Sequence, residues 1–205
     1  MKRIERLSIY RRFLQDISGS DPESVYSHEL AEKTGVTPTQ VRRDLMEIGF
    51  AGHTKKGYGI ADLITAIGNF LDSPEGDSVA LVGLGNLGRA LLPFFAGHHP
   101  KLKITAAFDT DPGKTGRVIC GCHCYPLTDL ETVIAKEKIR VAILTVPESQ
   151  AQKAAELLVA AGVRGMLNFA PVLIRLPKSI TVETIDITII LEKIAFFARR
   201  SEDEI

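Results

Sequence analysis

Three glycines carry the first chemical signal. Gly83-Leu84-Gly85-Asn86-Leu87-Gly88 follows an apolar run at 78–82 and precedes a second apolar segment containing Ala90, Leu91, Leu92, Phe94 and Phe95. A strand, a glycine-rich turn and a helix in that order bind dinucleotides. Gly83 permits the turn, Gly85 admits the pyrophosphate to the backbone, and Gly88 lets helix and strand pack closely. The free N–H groups near Asn86 and Leu87 then face the anion. Asp109, after a second apolar run at 104–108, is placed to accept hydrogen bonds from ribose hydroxyls and to repel a 2′-phosphate. That favours NAD(H) over NADP(H), with the charge of Lys114 nearby opposing the preference.

These residues need a sheet to hold them. Apolar runs at 140–146 and 165–169 alternate with a helical segment at 149–161, the pattern of a parallel sheet covered on both faces. Ligands of such sheets lie beyond the carboxyl ends of the strands, so Thr145-Val146-Pro147 and Asn168-Phe169-Ala170-Pro171 are expected to wall the pocket. A general acid or base for hydride transfer is not evident. No tyrosine has a lysine four residues on, and the five histidines fall outside the expected pocket. Binding without turnover fits the sequence better than catalysis, and no catalytic residue is nominated.

The preceding segment has a different character. Ile4, Leu7, Tyr10, Phe13, Leu14 and Ile17 recur at helical spacing. A short helix capped by Ser27 and stopped by Gly35 is expected next. Thr37, Pro38 and Gln40 then form a capping box for a third helix, which Gly49 ends. Helix, tight turn and helix is the helix-turn-helix pattern. With Val41, Leu45 and Ile48 inward, Thr39, Gln40, Arg42 and Arg43 face outward beside the Thr37 cap, and such side chains read base edges and clamp phosphates. Residues 52–59 resemble a hairpin tip that brings Lys55, Lys56 and Tyr58 to a DNA backbone. Residues 60–71 form a connecting helix, and 72–77 a linker.

The final segment, 187–198, is apolar around most of its circumference and must be enclosed. A second subunit is the expected source of cover, with burial between the chain's own domains as the alternative. Cys120, Cys122 and Cys124 alternate along one segment and would share a face of a strand. Their spacing is tighter than zinc knuckles use, so burial is favoured over a metal or thiol-redox site, and no metal is expected. With 45% hydrophobic and 24% charged residues and no net charge, the chain has the composition of a folded protein. No run is long enough to span a membrane and no export signal is evident, so a cytoplasmic location is expected. A slight basic excess in the first 60 residues supports nucleic acid only weakly.

Together these features predict an α/β chain in three parts. An N-terminal winged-helix (helix-turn-helix) DNA-binding domain with its linker occupies 1–76, a Rossmann-like parallel-sheet domain 77–186, and a C-terminal dimerisation helix 187–205. Over nearly its whole length the chain resembles the Rex-type redox-sensing transcriptional repressors. The carrying motifs are VTPTQVRRDL (36–45), GNLG (85–88), FDTDPGK (108–114), TVP (145–147), LNFAP (167–171) and VETID (182–186). The resemblance implies a homodimer that exchanges its C-terminal helices. It holds palindromic double-stranded operator DNA when NADH is scarce and releases it when NADH rises, NAD+ competing for the same site. It also implies that Arg12 pairs with Asp186 in the DNA-competent state. The chain departs from the family pattern at Thr54-Lys55, where an Arg-Gly pair is usual, and at Phe94 and Ile187, where some relatives carry tyrosine and phenylalanine. The three cysteines lie outside that pattern. Two other readings stay open on the residues alone: a small NAD-dependent oxidoreductase, and a CoA- or nucleotide-binding module.

Overall fold

A computed structural model describes residues 2–19, 23–51, 56–96 and 101–202. The chain divides into two compact units, 1–74 and 75–205. In the first, α1 (Arg3–Ile17), α2 (Ser27–Thr34), α3 (Pro38–Glu47) and α4 (Ile60–Leu71) surround a single apolar core, with two short strands, β1 (Ser24–Val25) and β2 (Tyr58–Gly59). Leu7, Tyr10 and Leu14 from α1 meet Leu30, Val41, Leu45, Leu63 and Ile67 there. The expected connecting helix, α4, is therefore part of this core: its apolar stripe is too wide to be left in solvent. Tyr58 pairs antiparallel with Val25, a strand that precedes α2, so the partner of β2 is remote in sequence.

Two starts differ in detail from expectation. Tyr26, not Ser27, caps α2: its backbone is extended, and the Glu29 carboxylate accepts its N–H at 2.7 Å. Thr37 caps α3 as expected, its hydroxyl accepting the Gln40 N–H at 3.2 Å, and Pro38 opens the helix. The capping box is not completed, because the Gln40 amide donates instead to Asp44 at 2.9 Å. A buried carboxylate needs donors more than an exposed helix end does.

The second unit holds a seven-stranded sheet in the order β5-β6-β4-β3-β7-β8-β9. Its strands are β3 (Asp77–Val82), β4 (Leu102–Asp109), β5 (Val118–Ile119), β6 (Cys122–Pro126), β7 (Val141–Leu144), β8 (Gly165–Asn168) and β9 (Thr181–Thr184). All neighbours are parallel except β5 with β6. Leaving out β5, this is the doubly wound order of dinucleotide-binding sheets, and it reverses between β3 and β7. Alternation divides the strands between two cores. Ala80, Val82, Phe108 and Leu144 pack with α6 (Leu130–Lys136) and α7 (Glu148–Ala160), whereas Val79, Leu81, Ala107 and Ile143 pack with α5 (Asn86–Phe95).

Cys122 and Cys124 are buried on one side of β6, as alternation requires. Cys120 does not join them. It lies exposed in the turn between β5 and β6 at a φ of 48°. Burial pushes the Cys122 thiol up to about 11, with Cys124 adding to the shift, which holds it protonated and unreactive at neutral pH. The last helix, α8 (Ile187–Glu202), carries exposed apolar side chains: Ile189 is 62% exposed and Ile194 56%.

Candidate cofactor cleft and nucleic-acid face

At the reversal point Gly83 and Thr145 lie side by side. Thr145 donates its N–H to the Val82 carbonyl at 2.9 Å and its hydroxyl to the Gly83 carbonyl at 2.6 Å, bracing the turn from the neighbouring strand. Gly83 has φ +96°, and a Cβ there would stand 2.7 Å from the Thr145 carbonyl oxygen. A Cβ on Gly88 would stand 2.1 Å from the Gly83 carbonyl oxygen, so α5 rests directly on the turn. Gly85 differs in kind. Its Cβ would meet nothing within 4 Å, and it lines a cleft of about 890 Å³. An anion there approaches the backbone at the start of a ten-residue helix.

Of the residues nominated from sequence, Gly83, Gly85, Asn86, Leu87, Asp109, Lys114, Thr145, Val146, Pro147 and Phe169 line this cleft. Asp109 is only 7% exposed. One of its oxygens accepts the Leu84 N–H at 2.7 Å and the Lys114 ammonium at 3.0 Å, and the other accepts the Asp111 N–H at 2.8 Å. Burial pushes this carboxyl up, but the two N–H groups and Lys114 outweigh it and hold Asp109 below the ordinary aspartate value. The carboxylate is thus fixed as an anion at the strand end. Lys114 does more than sit nearby, since its ion pair makes it part of that fixture.

Four nominated residues do not line the cleft. Gly88 acts by contact beneath it. Asn168 is fully buried and works as a clasp: its amide donates to the Ala170 and Val172 carbonyls at 3.1 and 2.9 Å and accepts the Ala170 N–H at 2.9 Å. Ala170 is buried with it, and Pro171 faces solvent. This segment shapes the loop that presents Phe169, because a buried amide must satisfy its own donors before it serves a ligand. Sequence reasoning missed Gln150, Lys153 and Leu157, which line the cleft from α7. Their signal is faint: they are the successive turns of the helix that follows Pro147.

On the first unit, α3 turns Val41, Asp44 and Leu45 inward and leaves Thr39, Arg42, Arg43 and Met46 outward. Arg42 is tethered, donating to the Ser27 hydroxyl at 3.0 Å and the Thr39 hydroxyl at 3.1 Å. The unforeseen member is Asp44, 1% exposed. Arg6 grips it through Nε and Nη2, both at 2.6 Å, Tyr10 donates its hydroxyl at 3.1 Å, and Gln40 supplies the fourth donor. Burial works against this carboxyl's ionisation, yet Arg6, Gln40 and Tyr10 together bring it below the ordinary value. The network ties α1 to the outward-facing helix. Lys56 is exposed, and Lys55 lies outside the described residues. The Tyr58 ring is half-buried against Phe50, with centroids 6.1 Å apart, and burial raises its hydroxyl pKa against the opposing charge of Arg42. Tyr58 therefore belongs to the core as much as to the surface.

Arg12 is exposed on α1, where Arg11 is instead engaged by Asp72 at 2.7 Å. Asp186 has a role not read from sequence: one carboxylate oxygen accepts the Thr188 and Ile189 N–H groups at 2.9 and 3.2 Å, capping α8. Phe94 and Ile187 are both more than half exposed. Among the described residues, no helix is long and apolar enough to cross a membrane.

Residues 75–172 match the family model described as CoA binding domain, and residues 1–45 the one described as "Putative DNA-binding protein N-terminus". A redox-sensing transcriptional repressor Rex of Syntrophobacter fumaroxidans is 42% identical over 197 residues, 96% of this chain and 94% of its own length. The Rex of Levilactobacillus brevis is 38% identical over 94% of this chain and 91% of its own. Among solved structures, RSP in complex with beta-NAD+ and operator DNA superposes with a TM-score of 0.88 at 29% identity, covering 98% of this chain and 92% of RSP. RSP in complex with beta-NADH gives 0.83 at 29% identity, covering 98% and 95%. The chain belongs to the Rex family of redox-sensing transcriptional repressors.

Proposed function

We propose that this chain represses transcription under control of the NADH/NAD+ ratio, binding a palindromic operator as a homodimer when NADH is low and releasing it when NADH is bound. The observation that carries the reading is the pairing, in one chain, of a capped and braced recognition helix with a cleft at the reversal point of a dinucleotide sheet. The nominated DNA contacts are Thr37, Thr39, Gln40, Arg42, Arg43, Lys55, Lys56 and Tyr58. The open space above Gly85 and the fixed anion at Asp109 suit a pyrophosphate and an adenosine ribose.

When bound, the cofactor supplies a ring that is neutral if reduced and cationic if oxidised. Val146, Leu157 and Phe169 make parts of the cleft apolar. Enclosing an unpaired cation against such a wall costs more than enclosing a neutral ring, so closure favours the reduced form. The exposed apolar side of α8 then needs a second copy to cover it, with Arg12 and Asp186 as the pair that forms when the operator is held. Rotation of the subunits moves the recognition helices off the spacing of roughly 34–36 Å that successive major-groove half-sites require. The role is regulatory, and its test is a gel-shift series with a palindromic duplex titrated with NADH, NAD+ and CoA. Release by NADH alone supports the reading; release by CoA alone, or indifference to all three, opposes it.

A further inference from the structure

Met46 is 71% exposed, the most exposed large apolar residue among the described residues of the first unit. It lies on α3 in one continuous outer face with Thr39, Arg42 and Arg43. Their positions are i, i+3, i+4 and i+7, the set by which a helix seated in the major groove brings four side chains to base edges. On this face the polar members already have assignable chemistry. Arg42 is held by Thr39 and Ser27, and Arg43 is a cation suited to guanine or phosphate. Glu47, which would repel a phosphate, is occupied by Arg3. An unbranched apolar side chain one helical turn beyond two arginines has one apolar counterpart in the major groove, the 5-methyl group of thymine.

Building on the assignment of α3 as the reading helix, we infer that Met46 is a specificity-determining residue that selects thymine at one position of each operator half-site by contact with its 5-methyl group. The two arginines one turn earlier on the same face supply the charge complementarity that commits this face to nucleic acid. Thymine and deoxyuridine pair identically and differ only in that methyl, so the contact can be isolated without altering the duplex otherwise.

The full-length chain is used to enrich binding duplexes from a random-sequence pool, and each thymine of the winning duplex is replaced singly by deoxyuridine. Burying one methyl contributes about 0.8 kcal/mol, so wild type should lose about fourfold in affinity at one thymine per half-site and about fifteenfold when both are replaced. Met46→Ala should bind thymine and deoxyuridine duplexes equally, and Met46→Leu should keep the preference. The inference is overturned if every thymine responds alike in wild type and Met46→Ala, or if Met46→Ala weakens all duplexes uniformly. Failure of the underlying assignment is separate: it shows as Arg43→Ala binding every duplex as wild type does, with an unchanged salt slope.

Discussion

Removing Arg6 should damage the first unit more than neutralising the carboxylate it holds. Asp44 is 1% exposed, whereas the Arg6 side chain retains 12% exposure. Arg6→Ala leaves an anion buried with only Tyr10 and Gln40 as donors, and breaking a buried pair in this way costs about 3–5 kcal/mol. Asp44→Asn leaves a guanidinium that can reach water, and its cost should be nearer about 2–3 kcal/mol, the loss of hydrogen bonds to a charged group. Replacing both residues by leucine should recover much of the loss, because no charge is then buried. Acid supplies an independent check. Asp44 has a folded pKa below the ordinary 3.8, so its contribution is present above that value and is lost as pH falls through the folded pKa. Asp44→Asn should therefore flatten the stability profile below about pH 4. Hydrogen exchange of α3 amides against urea measures each free energy in place, independently of the second unit. A cost below about 1 kcal/mol for Arg6→Ala, the value of a surface pair, would refute the burial argument.

Gly88→Ala would drive a methyl into the Gly83 carbonyl, 2.1 Å from the ideal Cβ position, so thermal unfolding of the second unit should fall by several degrees and NADH titration should show little binding. Unchanged melting and affinity would exclude close packing there. Asp109→Ala removes the fixed anion and frees Lys114, and NADPH affinity should rise toward that of NADH by roughly tenfold or more, an effect of about 1.4 kcal/mol; isothermal titration giving the same NADH/NADPH ratio before and after would remove Asp109 from the ribose site. Ile189→Lys with Ile194→Lys puts charges on the exposed apolar side of α8. Each buried isoleucine contributes about 1.5–3 kcal/mol, so dimer dissociation should strengthen by more than roughly a hundredfold in sedimentation velocity. A dimer that persists at the same concentration would mean that another surface joins the subunits.

How far the sequence reached depended on whether a residue's role is local. The turn at Gly83, Gly85 and Gly88 was legible because strand, turn and helix adjoin in the chain. The Thr37 cap and Pro38 start were legible for the same reason. Asp44 was not, since its partners Arg6 and Tyr10 are over thirty residues away and nothing in the helical period marks an aspartate for burial. Gln40 was read as an outward residue because its demand from Asp44 was unseen. Asn168 was read from its strand-end position alone, which does not reveal that its amide bonds to the backbone of its own loop. The apolar circumference of α8 was legible from its residue types, and its apolar side chains stand exposed in the second unit.

The central claim is coupling between the cleft and the operator. Fluorescence anisotropy of a labelled palindromic duplex, titrated with the chain at fixed NADH concentrations and then at matching NAD+ concentrations, tests it most directly. The prediction is that NADH raises the operator Kd while NAD+ does not, and that saturating operator raises the NADH Kd by the same factor. Equal NADH affinities with and without the duplex would contradict it.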